Sequence, residues 1–156
     1  MTTLITYGTF DLLHVGHVRL LKRLKDLSKT LIIGLSTDNF NKIKNKRCII
    51  PYEDRKEMLL STRYVDRVFP EESWEQKRTD ILREKAQIFA MGDDWIGKFD
   101  ELSDIVKVIY LPRTPQISTT NLKDAVANFK KDEIHSIKRL LEEVNNSLDD
   151  LVKKNE

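Results

Sequence analysis

Apolar residues in this chain form short blocks, and the blocks alternate with stretches in which they recur every three or four positions. The blocks at residues 4–7, 30–35, 65–70, 87–91 and 107–111 are rich in branched and aromatic side chains and predict five strands. Residues 30–35 are almost wholly apolar, the pattern of a strand covered on both faces. Between the blocks, residues 18–24, 52–62 and 74–82 have helical spacing, and Pro51 suits a first helical turn because no N–H is needed there. Strand, helix, strand in succession implies right-handed parallel crossovers, hence a three-layer α/β fold with a mainly parallel five-stranded sheet.

From about residue 130 the pattern changes. Ile134, Ile137, Leu141, Val144, Leu148 and Leu151 recur at alternating spacings of three and four with charges between them, a heptad-like seam on an amphipathic helix. We therefore expect a domain over residues 1–130 and a helical extension over 131–156. The seam is shorter than the roughly three to four heptads that define a coiled coil. Docking on its own domain stands beside self-association.

Composition narrows the function. The 156 residues suit one domain, and 27 Lys and Arg against 25 Asp and Glu give a net charge of +2, so neither nucleic acid nor a membrane surface is indicated as partner. Any cationic site must be local. Cys48 is the single cysteine, which excludes an internal disulfide or a thiolate zinc cage and fits a reduced compartment. No run approaches the roughly 18 apolar residues of a membrane span, so a soluble, cytoplasmic protein is expected.

The residues suited to chemistry gather at the carboxyl ends of the strands. Both His14 and His17 fall at the junction of the first strand and first helix, where free N–H groups favour an anion, and Gly16 between them lets a phosphate approach the backbone. Two imidazoles there can donate to the same phosphoryl oxygens; capping or buried histidines are the alternative. Residues 42–47 carry four cations in six positions, and this loop leaves the same sheet edge, within reach of a triphosphate. Asp93 and Asp94 come after the fourth strand without further carboxylates to build a metal cage, so Asp94 is better suited to accept from the exocyclic amine of cytosine, with a turn or cap role as the alternative. Arg113 precedes Ser118-Thr119-Thr120 at a helix start, more hydroxyls than a cap requires and suited to β- and γ-phosphates. Trp74 reads as a core residue.

Thr9-Phe10-Asp11 followed by His14-x-Gly16-His17 resembles the HxGH nucleotidyltransferase superfamily, whose fold is Rossmann-like. Arg63-Tyr64-Val65-Asp66, Met91-Gly92-Asp93-Asp94-Trp95 and Arg113-Thr114-x-x-Ile117-Ser118-Thr119-Thr120 resemble its cytidylyltransferase branch, and within it the glycerol-3-phosphate cytidylyltransferases, over about residues 3–127. The resemblance implies transfer from CTP, with Mg2+, to glycerol 3-phosphate, giving CDP-glycerol for teichoic acid or capsular polymers. It implies His14, His17, Lys44, Lys46 and Arg113 as catalytic residues. The nucleotide would meet Thr9, Phe10, His14, Gly16, His17, Lys46, Asp94, Arg113, Thr114, Ser118, Thr119 and Thr120, and the acceptor Lys44, Lys77, Arg55 and Arg63. Members are commonly homodimers. Gln116 stands where the family usually has glycine. Other phosphorylated acceptors (phosphoethanolamine, phosphocholine, a sugar-alcohol phosphate) or a non-catalytic nucleotide-binding regulator remain open alternatives; an aminoacyl-tRNA synthetase does not, since the chain lacks room for a tRNA-binding domain.

Overall fold

The structure, a computed structural model, describes residues 2–115 and 118–153, the last nine of these by backbone alone. It falls into two compact units, residues 1–117 and 118–156.

The first unit is built on five strands, β1 (Thr3–Gly8), β2 (Thr30–Ser36), β3 (Arg67–Glu71), β4 (Ile88–Gly92) and β5 (Lys107–Leu111). Every pairing is parallel and the order is β3-β2-β1-β4-β5. The helices are α1 (Val15–Asp26), α2 (Asp38–Ile43), α3 (Tyr52–Leu60) and α4 (Gln76–Arg83). Successive strand residues face opposite ways, which divides the core in two. Leu4, Leu31, Ile33 and Ala90 pack with Leu21 and Leu24 of α1 and Leu59 of α3. Ile5, Tyr7, Ile32, Phe89 and Met91 pack on the other face with Ile81 of α4 and with Phe99 and Leu102. Central strands buried on both faces explain the near-continuous apolar runs.

Two expectations shift. The third strand ends on Glu71 rather than Pro70, because β3 is an edge strand where a missing N–H is tolerated. The polar stretch after β2 begins as the short helix α2, capped when the Thr37 hydroxyl accepts from the Phe40 N–H at 3.2 Å.

The second unit is one helix, α5 (Thr119–Lys153). Ser118 caps it, its Oγ accepting from the Asn121 N–H at 3.1 Å. Neither glycine nor proline interrupts it, so residue 130, the expected boundary, lies inside a continuous helix. Val126, Phe129, Ile134, Ile137, Leu140, Leu141 and Val144 are each more than half exposed. No helix of the described residues is long and apolar enough to cross a membrane.

Candidate active site

Because all five strands run one way, the segments leaving Gly8, Ser36, Glu71, Gly92 and Leu111 emerge at one sheet edge. The strand order reverses between β1 and β4, the crevice where open α/β sheets receive ligands.

The turn after β1 is tightly held. Asp11, 3 % exposed, accepts from the N–H groups of Ile49 at 2.9 Å and Ile50 at 3.0 Å, pinning the basic loop to the histidine turn. Phe10 and Leu12 take φ values of 48° and 50°, a left-handed conformation that costs non-glycine residues about 1–3 kcal/mol each. Phe10, expected against the nucleotide, is buried instead, its ring centroid 5.3 Å from that of His17, which it supports from behind. Thr9 donates its hydroxyl to Asn41 Oδ1 at 2.9 Å.

The two histidines cap α1 reciprocally. Nδ1 of His14 accepts from the Gly16 N–H at 3.0 Å, and Nδ1 of His17 accepts from the His14 N–H at 3.4 Å. Capping was the alternative to a phosphate site, yet here the two do not compete. An Nδ1 that accepts leaves the proton of a neutral imidazole on Nε2. Nε2 of His14 is buried without a hydrogen-bond partner among the described residues, an unsatisfied donor that asks for an acceptor. Burial lowers the pKa of His14, and burial together with the neighbouring His14 pushes His17 down to about 4. Both rings are therefore neutral N–H donors at neutral pH.

The cations divide into three groups. Lys44 and Lys77 converge on Glu71: Lys77 Nζ lies 2.6 Å from Oε1 and Lys44 Nζ 3.6 Å from Oε2. Phe40, Trp74 and Tyr7 wall this cluster, with Lys44 4.3 Å from the Phe40 centroid and Lys77 4.7 Å from that of Trp74. Trp74, expected in the core, is 39 % exposed and lies over both lysines. Lys46 and Arg63 are exposed, the latter against its neighbour Tyr64. Arg55 corrects the sequence reading. Its guanidinium, fully buried, donates to the carbonyls of Thr9, Ser36 and Ile50 and to Asp38 Oδ1 at 2.7–2.9 Å. It ties the ends of β1 and β2 together beneath the site rather than facing a substrate.

On the other side of the crevice, Arg113 donates to Asp94 Oδ2 at 2.9 Å. A Cβ at Gly92 would fall 2.5 Å from Asp94 Oδ1, so glycine is what lets this carboxylate fold back. Thr114 donates to the Gly16 carbonyl at 3.3 Å. Gln116 and Ile117 lie outside the described residues, and Ser118, Thr119 and Thr120 belong to the second unit. Glu71 and Asp11 carry roles the sequence reading did not assign. Position alone could have flagged Glu71, since it stands at the same strand edge as the histidines. Among the described residues no three His, Cys, Asp or Glu converge as a metal cage.

A profile of the cytidylyltransferase-like family matches residues 5–136. The chain belongs to that family. Among curated relatives, this cytidylyltransferase-like chain is 54 % identical over 127 residues to "Glycerol-3-phosphate cytidylyltransferase" of Bacillus subtilis, covering 81 % of this chain and 98 % of the relative. It is 53 % identical over 123 residues to the Staphylococcus aureus protein of the same name, covering 79 % and 93 %. Among solved structures, a lipopolysaccharide core biosynthesis protein from Thermoplasma volcanium superposes with a TM-score of 0.63 at 22 % identity, covering 75 % of this chain and 99 % of that one, which shows a shared α/β fold.

Proposed function

We propose that the chain transfers the cytidylyl group of CTP to sn-glycerol 3-phosphate, releasing pyrophosphate and forming CDP-glycerol. The observation that carries this reading is the pair of neutral, backbone-oriented imidazoles, with the buried Nε2–H of His14 left for a phosphate. The names of the two bacterial relatives support the choice of acceptor.

The acceptor's phosphate, ionised at neutral pH, attacks the α-phosphorus in line; a new P–O bond forms as the bond to the β-phosphate oxygen breaks, and pyrophosphate leaves. No nucleophilic side chain is required. His14 and His17 donate to oxygens on which charge builds, where preorganised donors act most strongly. Lys44 and Lys77 attract the acceptor's phosphate; Lys46, Arg113 and Thr114 hold the nucleotide, with Asp94 reading the base. Mg2+, carried by the triphosphate, would offset its charge.

The alternative acceptors share this nucleotide chemistry, so the test is pyrophosphate release with CTP across glycerol 3-phosphate, phosphocholine, phosphoethanolamine and sugar-alcohol phosphates. Highest kcat/KM with glycerol 3-phosphate supports the reading; CTP binding with no pyrophosphate release sinks it. CTP and glycerol 3-phosphate are metabolites of the cytoplasm, where we place the reaction, and its product fits teichoic acid or capsule synthesis.

We also propose a homodimer in which α5 takes part. A helix whose apolar stripe is exposed is marginal in water and gains by burying it. Alignment with the Bacillus subtilis protein uses 98 % of that protein in only 127 residues, so the extra length of this chain is not needed for the shared domain. Glu133 and Lys138 flank the seam five residues apart, the spacing at which opposite charges meet across a parallel pair.

A further inference from the structure

We propose that Glu71 is the positioning residue of the acceptor site: its carboxylate gathers the ammonium groups of Lys44 and Lys77 at one point, ready for the acceptor's phosphate. This rests on the proposed function and names the residue on which acceptor recognition depends.

The geometry converges on this one side chain. Strand register sets Glu71 beside Ser36 at the ends of β3 and β2. Its Oε1 takes Lys77, while Oε2 faces Lys44 and accepts from the Ser36 hydroxyl. Ser36 Oγ in turn accepts from Lys44 Nζ at 2.7 Å, closing a ring of three side chains that Lys77 joins through Glu71. Glu71 and Lys77 are each 2 % exposed, and the surrounding walls are aromatic. Two ammonium groups among such walls repel each other and lose hydration; one shared carboxylate offsets both penalties and still leaves the cluster one positive charge in excess.

The other charged groups nearby cannot replace it. Asp80, the next carboxylate, already accepts from Tyr7 at 3.0 Å, Gln76 at 2.8 Å and Arg83 at 2.8 Å. Lys46 adds positive charge to Lys44. Burial lowers the pKa of Lys44, the cations Lys46 and Lys77 lower it further, and Glu71 opposes them. Without Glu71 the Lys44 ammonium loses its proton at a lower pH, so acceptor binding weakens as pH rises.

The test is steady-state kinetics of Glu71→Gln with CTP and glycerol 3-phosphate at about pH 6.5 and about pH 8.5. We expect the acceptor KM to rise about tenfold at the higher pH and less at the lower, with the CTP KM within about twofold and kcat at saturating acceptor within about threefold. An acceptor KM unchanged or lowered at both pH values overturns the proposal. So does a parallel rise in the CTP KM, which marks general damage. If Glu71→Gln does not fold, Ser36→Ala removes only the hydroxyl linking Glu71 to Lys44; an acceptor KM raised about two- to fivefold supports the role and an unchanged one overturns it. If the wild-type protein uses another acceptor, the functional reading fails while the same comparison on that acceptor still tests Glu71. If it releases no pyrophosphate at all, calorimetric titration with inorganic phosphate decides: weaker binding in Glu71→Gln supports the proposal, equal binding ends it.

Discussion

The imidazoles of His14 and His17 are stacked, their centroids 3.9 Å apart and their planes 23° from parallel. At that separation a proton gained by one ring raises the cost of a proton on the other, and burial adds to it. The pair thus stays uncharged near neutrality and works through N–H donation.

Replacing either histidine by Ala is expected to lower kcat by about 10²–10³ while changing CTP affinity far less, since the donors matter most as charge builds on phosphorus. Single-turnover rates alongside CTP titrations check this. Near-normal turnover in both variants would remove the histidines from the chemistry.

Acid should loosen the fold through His17. Its pKa is near 6.5 in the unfolded chain and about 4 when folded, so below pH 6.5 the unfolded state binds the extra proton. The stability is fully present above about 6.5 and declines toward pH 4, by about 2–3 kcal/mol; the shift of His14 acts in the same direction. Urea unfolding of wild type and His17→Asn across this range should show the steeper decline in wild type. Parallel curves would contradict it.

Arg55→Lys is expected to cost about 3–5 kcal/mol, because one ammonium cannot reach three carbonyls and Asp38 from a buried position. Thermal unfolding measures this. A loss below about 1 kcal/mol would show that the ends of β1 and β2 hold together without it.

Asp94→Asn should narrow the preference for CTP over UTP, since an amide can donate to the uracil carbonyl where a carboxylate only accepts. The exposed pair with Arg113 contributes little, so the melting temperature should barely move. Unchanged discrimination would assign base reading to other groups.

Removing residues 131–156 should leave turnover intact and weaken self-association, as measured by light scattering across concentrations. Unchanged mass with a collapsed melting temperature would mean that α5 stabilises its own chain instead.

The sheet was legible because its central strands are covered on both faces, so β1, β2 and β4 announce themselves as near-continuous apolar runs. The histidine turn was legible because glycine and two histidines sit together at a strand end. The burial of Arg55 and Lys77 was not, since a charged residue on a short helix reads as surface. The carbonyls of Thr9 and Ser36, remote in sequence, hold the one in the interior together with Ile50 and Asp38, and Glu71 holds the other. The boundary near residue 130 reflected a change in side-chain pattern, whereas the backbone obeys the Ser118 cap and propagates without a breaker to Lys153.

The left-handed backbone of Phe10 and Leu12 sets limits on how this protein could be improved. Leu12→Gly would relax one of the strained residues and stabilise the protein wherever that relief exceeds the entropy glycine adds to the unfolded chain. The same change would free the segment that aims two imidazoles, so selection for heat resistance and selection for speed would pull on this codon in opposite directions.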